Sequence, residues 1–217
     1  MSTVRDSPPD DPLPLARAWL DEAQAGARRN PTAMALATAD AGGRPAVRMV
    51  LLRGLSVEQG FAMFYTHYES RKGRELAANR RAAGVLYWEE FGRQLRIEGP
   101  VVKSPSGESD AYFGKRPLRS QLNAWASAQS QPLADRRALL DKASRLAEEL
   151  GRETPANAGG YPRPPHWGGY RLWIEALEFW LEGEDRFHDR IRYERALTAT
   201  DTATFSAGAW SHQRLQP

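Results

Sequence analysis

The sequence predicts a mainly β protein with added helices (α+β), its strands antiparallel and curled into a closed or nearly closed barrel. Three observations carry this. At least six short segments have strand patterning and are divided by Gly, Asp and Pro turn chemistry. Segments with helical spacing stand between some of these strands rather than after every one, which disfavours a doubly wound parallel sheet. No internal repeat divides the 217 residues, so residues 12–217 are read as one domain behind a polar, Pro-rich arm, residues 1–11, expected to be mobile.

Asp10-Asp11-Pro12 is a helix start, with an Asp cap and Pro in the first turn, where its missing N–H is not needed. Leu15, Trp19, Leu20 and Ala23 give that helix an apolar face, and its end is expected near Asn30-Pro31. Strands follow over residues 33–38 and 46–53, divided by Asp40-Ala41-Gly42-Gly43, then over 61–66 after the turn Glu58-Gln59-Gly60. Ser70 caps a short helix over 71–78. Strands over 83–88 and 94–102 precede short helices over 106–113 and 119–127. A longer helix over 133–150 carries Leu139, Leu140, Ala143, Leu146, Ala147 and Leu150 at helical spacing and is expected to end at Gly151. Residues 153–165 form a Pro/Gly-rich loop, and strands close the chain over 170–174, 177–180, 187–195 and 207–215.

Composition narrows the function. With 41% hydrophobic and 26% charged residues the chain is globular, and a net charge of +3 spread among Glu and Asp is no nucleic-acid stripe. It has no cysteine, which excludes disulfides, thiolate metal sites and cysteine nucleophiles and fits a cytoplasmic location. No run of 18 apolar residues spans a membrane, and residues 1–11 lack the apolar core of a secretory signal. The four histidines are too scattered to suggest a metal site, and the common phosphate-loop, dinucleotide, serine-hydrolase and zincin motifs are all missing.

Three segments offer chemistry. Ser70-Arg71-Lys72-Gly73 puts two cations and free N–H groups at a helix start, suited to a monoester phosphate; read alone it is also an ordinary basic first turn. Tyr112, Arg116 and Ser120 place donors at four-residue intervals, as a second phosphate would need. Arg186, His188 and Arg190 alternate, so on a strand they share one face, where they repel unless an anion or electron-rich ligand sits there or solvent covers them.

Arg186-Phe187-His188-Asp189-Arg190 after Glu178-Phe179-Trp180 resembles the C-terminal signature of the pyridoxamine 5′-phosphate oxidases. Further matches run in family order: Arg48 to Arg53, Phe64-Tyr65-Thr66, Ser70-Arg71-Lys72, Arg93-Gln94, Tyr112 to Gln121, Gln129-Ser130 and Trp167-Gly168-Gly169-Tyr170. The resemblance covers nearly the whole chain and implies an FMN-binding split β-barrel with peripheral helices, a homodimer with FMN at the subunit interface. It implies that FMN is held by Arg48, Met49, Val50, Leu51, Tyr65, Thr66, Arg71, Lys72 and Gln94 of one subunit, with Gln129, Ser130, Trp180 and Arg190 from the other. The substrate phosphate would meet Arg53, Tyr112, Arg116 and Ser120, with Arg186 and His188 over the pyridine ring as catalytic residues. The implied reaction turns pyridoxamine or pyridoxine 5′-phosphate into pyridoxal 5′-phosphate, with O₂ as acceptor and H₂O₂ as product, and the flavin carries the redox chemistry.

The chain also departs from the family pattern. Arg53 stands where Lys is usual, Leu181 follows Trp180, and residues 1–11 lack the basic, acidic and aromatic motif that closes over the substrate in many members. Two other readings therefore stand beside the first. One is a phenazine-biosynthesis-type flavin oxidase with a tricyclic, non-phosphorylated substrate, against which the Tyr112, Arg116 and Ser120 set counts. The other is a non-catalytic flavin-binding split-barrel protein, against which Arg186 and His188 count.

Overall fold

The computed structural model describes residues 7–26, 29–153 and 160–217. The expected mobile arm falls largely on residues 1–6, and part of the expected 153–165 loop on residues 154–159; both stretches lie outside the described residues.

Helix α1 (Leu13–Ala25) begins where Asp11 and Pro12 predict, with Asp11 Oδ1 accepting the Leu13 N–H at 3.0 Å. It stops before Gly26, short of residues 30–31, because Gly26 takes up extended backbone. Leu13, Ala16, Trp19, Leu20 and Ala23 are buried against the sheet, where Trp19 meets the Phe179 ring edge-on at 4.7 Å.

Strands β1 (Ala33–Ala39) and β2 (Pro45–Leu51) form the expected hairpin, in register from Ala33 opposite Leu51 to Ala39 opposite Pro45. β2 ends two residues early because the chain changes partner. Leu52 N–H still bonds Thr32 O, but Arg53 N–H bonds Met63 O, and a short unpredicted strand β3 (Gly54–Ser56) pairs with β4 (Phe61–His67). Helix α2 (Arg71–Ala78) follows, then β5 (Arg81–Trp88), β6 (Arg93–Lys103), α3 (Ser106–Gly114) and α4 (Leu118–Ala126), each within two residues of expectation. Helix α5 (Arg136–Glu153) starts later than residue 133, since Asp135 Oδ1 accepts the Ala138 N–H, and it runs through Gly151 rather than ending there.

The last strands are β7 (Trp167–Trp173), β8 (Ala176–Leu181), β9 (Asp189–Glu194), β10 (Leu197–Ala199), β11 (Phe205–Ala207) and β12 (Ser211–Leu215). The strand expected over 207–215 is thus two pieces. β11 pairs with β10 in a small hairpin that orders residues 198–206, Gly208 N–H turns back to Ala196 O, and β12 pairs with β9.

Ten strands make one antiparallel sheet ordered β12-β9-β8-β6-β5-β1-β2, with β7, β4 and β3 attached beyond β6. The division happens within β6. Its residues 93–98 pair with β8, its residues 101–103 pair with β7, and β5 runs along its other edge. Gly99 stands at the switch, where a Cβ would lie 1.9 Å from Trp173 O, so only glycine lets the two strands approach. The core lies inside the curl and under α1, built from residues such as Leu36, Phe64, Leu86, Ile97, Phe179 and Tyr193. Among the described residues no helix is long and apolar enough to cross a membrane.

Candidate cofactor and substrate site

A cavity of about 460 Å³ opens between β2, β4, the start of β7 and the α3–α4 segment. Its walls hold Arg48, Met49, Val50, Leu51, Arg53, Tyr65, Thr66, Lys72, Tyr112, Arg116, Gln129 and Ser130, twelve of the residues singled out from sequence.

One end is built by α2. Ser70 Oγ accepts the Gly73 N–H at 3.2 Å, which caps the helix as predicted. A Cβ on Gly73 would lie 2.0 Å from Tyr68 O, so glycine lets the helix start press against the end of β4 and carry Lys72 into the wall. Lys72 Nζ donates to Gln129 Oε1 at 2.8 Å, Thr66 Oγ1 at 3.0 Å and Ser70 Oγ at 3.3 Å. Burial, with Arg48 nearby, lowers its pKa to about 8. Arg48 and Arg71 meet one carboxylate: Arg48 Nη2 donates to Glu75 Oε2 at 2.9 Å and Arg71 Nε to Glu75 Oε1 at 2.8 Å. Thr38 Oγ1 also donates to Glu75. Burial works against the Glu75 anion, but these hydrogen bonds outweigh it and hold its pKa below the usual carboxylate range. Arg71 lines an adjoining hollow with Arg48, Lys72 and Ser130.

The other end is aromatic and cationic. Tyr65 and Tyr112 stack at 3.8 Å, Tyr65 lies nearly parallel to Trp167 at 5.6 Å, and the Arg116 guanidinium covers Trp167 at 4.5 Å from its centroid. Arg116 Nη1 is buried with no hydrogen-bond partner, and burial lowers the Arg116 pKa, with Arg53 adding repulsion. Its backbone is fixed from behind, since Gln121 Nε2 donates to Arg116 O at 2.9 Å. Ser120 sits half-buried in the first turn of α4 and does not line the cavity.

Gln94, Trp180, Arg186, His188 and Arg190 are elsewhere. Gln94 on β6 faces Trp180 on β8, and Trp180 faces Arg190 on β9. In the sheet, β1, β5 and β6 separate β8 and β9 from β2, and β1 and β5 separate Gln94 on β6 from it. Within one chain Gln129 bonds Lys72 and Thr66, Ser130 lines the same cavity, and Gln94 stands opposite Trp180.

Arg186, His188 and Arg190 do not alternate along a strand either. β9 begins only at Asp189, because residues 182–188 are the loop that reverses the chain between β8 and β9. Glu184–Arg186 is a 3₁₀ turn in which Asp185 and Arg186 have φ of 49° and 67°. Gly183 N–H donates to His188 Nδ1 at 3.2 Å, which leaves Nε2 to carry the proton of the neutral ring, and the ring lies 4.5 Å from that of Trp180. The charge of Arg190 is answered within the chain by buried Glu178, bonded at 2.8 and 3.1 Å, which raises the arginine's pKa. Among the described residues, the non-glycine residues with left-handed backbone are Ser130, Asp185 and Arg186, and Ser130 and Arg186 lie within motifs singled out from sequence.

Sequence reasoning missed several residues here. Glu75 carried a signal, being four residues after Arg71 on a helix. Trp167 lay in a quoted motif without a role. His67, Asn123, Ala124 and Ser127 also line the cavity, and His67 stacks on His166 at 4.2 Å. Among the described residues no group of three or more His, Asp or Glu is placed to hold a metal.

The chain as a whole is similar to proteins of one family. A family model described as pyridoxamine 5′-phosphate oxidase matches residues 20–148, and one described as pyridoxine 5′-phosphate oxidase C-terminal dimerisation region matches residues 167–217. The chain is 45% identical over 199 residues to the pyridoxine/pyridoxamine 5′-phosphate oxidase of Paraburkholderia phytofirmans, covering 92% of this chain and 85% of that protein. It is 49% identical over 183 residues to the enzyme of the same name from Cupriavidus taiwanensis, covering 84% and 82%. Among solved structures, PhzG of Burkholderia lata, in complex with tetrahydrophenazine-1-carboxylic acid, aligns with a TM-score of 0.83 at 35% identity over 100% of this chain and 98% of that one. A pyridoxamine 5′-phosphate oxidase-related, FMN-binding protein of Nostoc punctiforme shares the fold, with a TM-score of 0.68 at 16% identity over 95% and 97%. The expected split barrel is thus the observed fold, and the chain belongs to the pyridoxamine 5′-phosphate oxidase family.

Proposed function

We propose that this chain is an FMN-dependent oxidase that converts pyridoxamine 5′-phosphate or pyridoxine 5′-phosphate to pyridoxal 5′-phosphate. One observation carries the reading: a single cavity has two separate cationic ends, Arg48 and Lys72 at one and Arg53 and Arg116 at the other. Two phosphomonoesters, one on the cofactor and one on the substrate, match that arrangement. The buried, unpartnered Nη1 of Arg116 is an unfilled donor of the kind a substrate phosphate satisfies.

When bound, FMN supplies the two-electron redox chemistry, with O₂ as acceptor and H₂O₂ as product. The chain's part is to bind and orient. Arg48, Tyr65, Thr66, Arg71, Lys72, Gln129 and Ser130 hold the cofactor, with Met49, Val50 and Leu51 along β2 beside it. Arg53, Tyr112, Arg116 and Ser120 hold the substrate phosphate. Trp180, Arg190, Arg186 and His188 act from a second copy of the chain, since β1, β5 and β6 separate β8, β9 and the loop between them from β2 in their own; Gln94, on β6 itself, stands nearer and holds the cofactor with Arg48. Two features support a homodimer: residues 167–217 match a dimerisation region, and the outermost strand β2 leaves Val47 and Met49 69% and 62% exposed. In the dimer Arg186 and His188 position the substrate ring, with the protonated His188 Nε2 as donor.

A second reading, oxidation of a dihydrophenazine-like substrate without phosphate, is favoured by the likeness to PhzG. The Arg53, Tyr112 and Arg116 end of the cavity counts against it. The test is an aerobic assay of the purified yellow protein with both phosphorylated vitamers, following aldehyde and H₂O₂. Equal yields of the two establish the first reading; a flavin-loaded protein inert to both vitamers shifts the assignment to the second.

A further inference from the structure

Glu75 belongs to neither end of the cavity by contact, yet it holds both Arg48 of the cavity wall and Arg71 of the adjoining hollow. Its side chain is 5% exposed and accepts from Arg48, Arg71 and Thr38, which come from β2, α2 and β1. Arg71 is four residues away on the same helix, so helical geometry alone brings those two together. Arg48 arrives across the sheet, and its other nitrogen bonds Thr38 and Leu36 O. Lys72 is held separately by Thr66, Ser70 and Gln129. Without the carboxylate, three cations would crowd one spot with no anion among them. With it, two positive charges remain, equal and opposite to a phosphomonoester dianion.

We infer that Glu75 is a positioning residue for the cofactor phosphate, orienting Arg48 and Arg71 toward it and trimming the subsite's charge to that of a dianion. The inference rests on the reading that FMN places its phosphate among Arg48, Arg71 and Lys72. A buried carboxylate that merely tied α2 to the sheet would affect any flavin equally. One that aims the phosphate-binding arginines affects only a flavin that carries a phosphate. FMN and riboflavin share the ring and the ribityl chain and differ in that one group, so their comparison isolates the effect.

The experiment titrates FMN and, separately, riboflavin into the flavin-freed full-length chain and into its Glu75→Ala and Glu75→Gln variants, following flavin fluorescence. The wild type should bind FMN far more tightly than riboflavin. Glu75→Ala should raise the FMN dissociation constant about ten-fold or more, the usual effect of losing a charge-assisted contact, and leave that of riboflavin within about two-fold. Glu75→Gln, which keeps the shape and one acceptor, should fall between wild type and Glu75→Ala for FMN only. Equal weakening of both flavins in the variants, or none, overturns the inference while the cofactor reading stands. A wild type with no preference for FMN overturns the cofactor reading and the inference with it. Should Glu75→Ala fail to fold, the same criteria apply to Glu75→Gln.

Discussion

The Arg116 guanidinium lies over the Trp167 ring at 4.5 Å from its centroid, and its Nη1 is buried without a partner. The indole holds the cation by one face and gives it no hydrogen bond, so the donor stays free for an incoming anion. Arg116→Ala is expected to weaken the phosphorylated substrate by about 1.5–3 kcal/mol while FMN affinity stays near wild type. Steady-state KM beside an FMN titration checks this, and equal loss of both ligands would remove Arg116 from the substrate end.

Trp167→Leu keeps an apolar residue in place but takes away the ring under Arg116. KM for the phosphorylated substrate should rise about two- to thirty-fold, the equivalent of about 0.5–2 kcal/mol and less than for Arg116→Ala, and Trp167→Phe should recover part of it. An unchanged KM would mean that Gln121, which grips the Arg116 carbonyl, is sufficient to hold the arginine.

The lowered pKa of Lys72, about 8, makes cofactor binding depend on pH. A phosphate favours the protonated ammonium, so FMN affinity should hold up to about pH 8 and fall above it, with riboflavin affinity flat. For the flavin-free fold the sign is opposite. Between about 8 and the ordinary 10.5 the unfolded chain holds more protons at Lys72 than the folded one, so this residue favours the fold increasingly as pH rises through that window. Flavin titrations from pH 6.5 to 9.5, repeated on Lys72→Met, test the first statement. The variant should lose the inflection.

Arg186 is held at φ 67°, a conformation that costs a side-chain-bearing residue about 1 kcal/mol and glycine almost nothing. Arg186→Gly should therefore fold at least as well as wild type and still bind FMN, but its turnover should drop on the order of a hundred-fold if the guanidinium orients the substrate. Rapid-mixing reduction of the bound flavin by substrate separates the two effects. Loss of flavin would put Arg186 at the cofactor instead.

Gly99→Ala places a methyl where Trp173 O already stands, 1.9 Å away. The strands at the switch must part, and a loss of about 3 kcal/mol or more in unfolding free energy is expected by chemical denaturation.

Local rules went far with this chain. Ser70 capping residues 71–78, the 33–39 and 45–51 hairpin and the two short helices before residue 127 were all legible, because each is decided by a few neighbouring residues. The failures share a cause. β2 stops at Leu51 because Met63 captures the Arg53 N–H, and the 207–215 segment divides because Gly208 bonds back to Ala196. Neither partner is near in sequence. Arg186 and His188 were placed on a strand because alternation survives in a loop that is not one, where Glu184 and His188 bond locally instead of across a ladder. Around the cavity, the residues with cationic or hydroxyl donors announced themselves, whereas Trp167 sat in a motif without a role and Glu75 showed only its spacing from Arg71. Those two act on other side chains, and a sequence read for ligand contacts passes over them.

β6 runs unbroken through the point where the sheet divides, an eleven-residue strand of roughly 35 Å. Near its start it carries Gln94 beside Trp180; near its end it braces β7, whose first residue is the Trp167 that backs Arg116. In the proposed dimer, where Trp180 serves the partner's site and Arg116 its own, β6 spaces the two rims at the fixed rise of a β-strand.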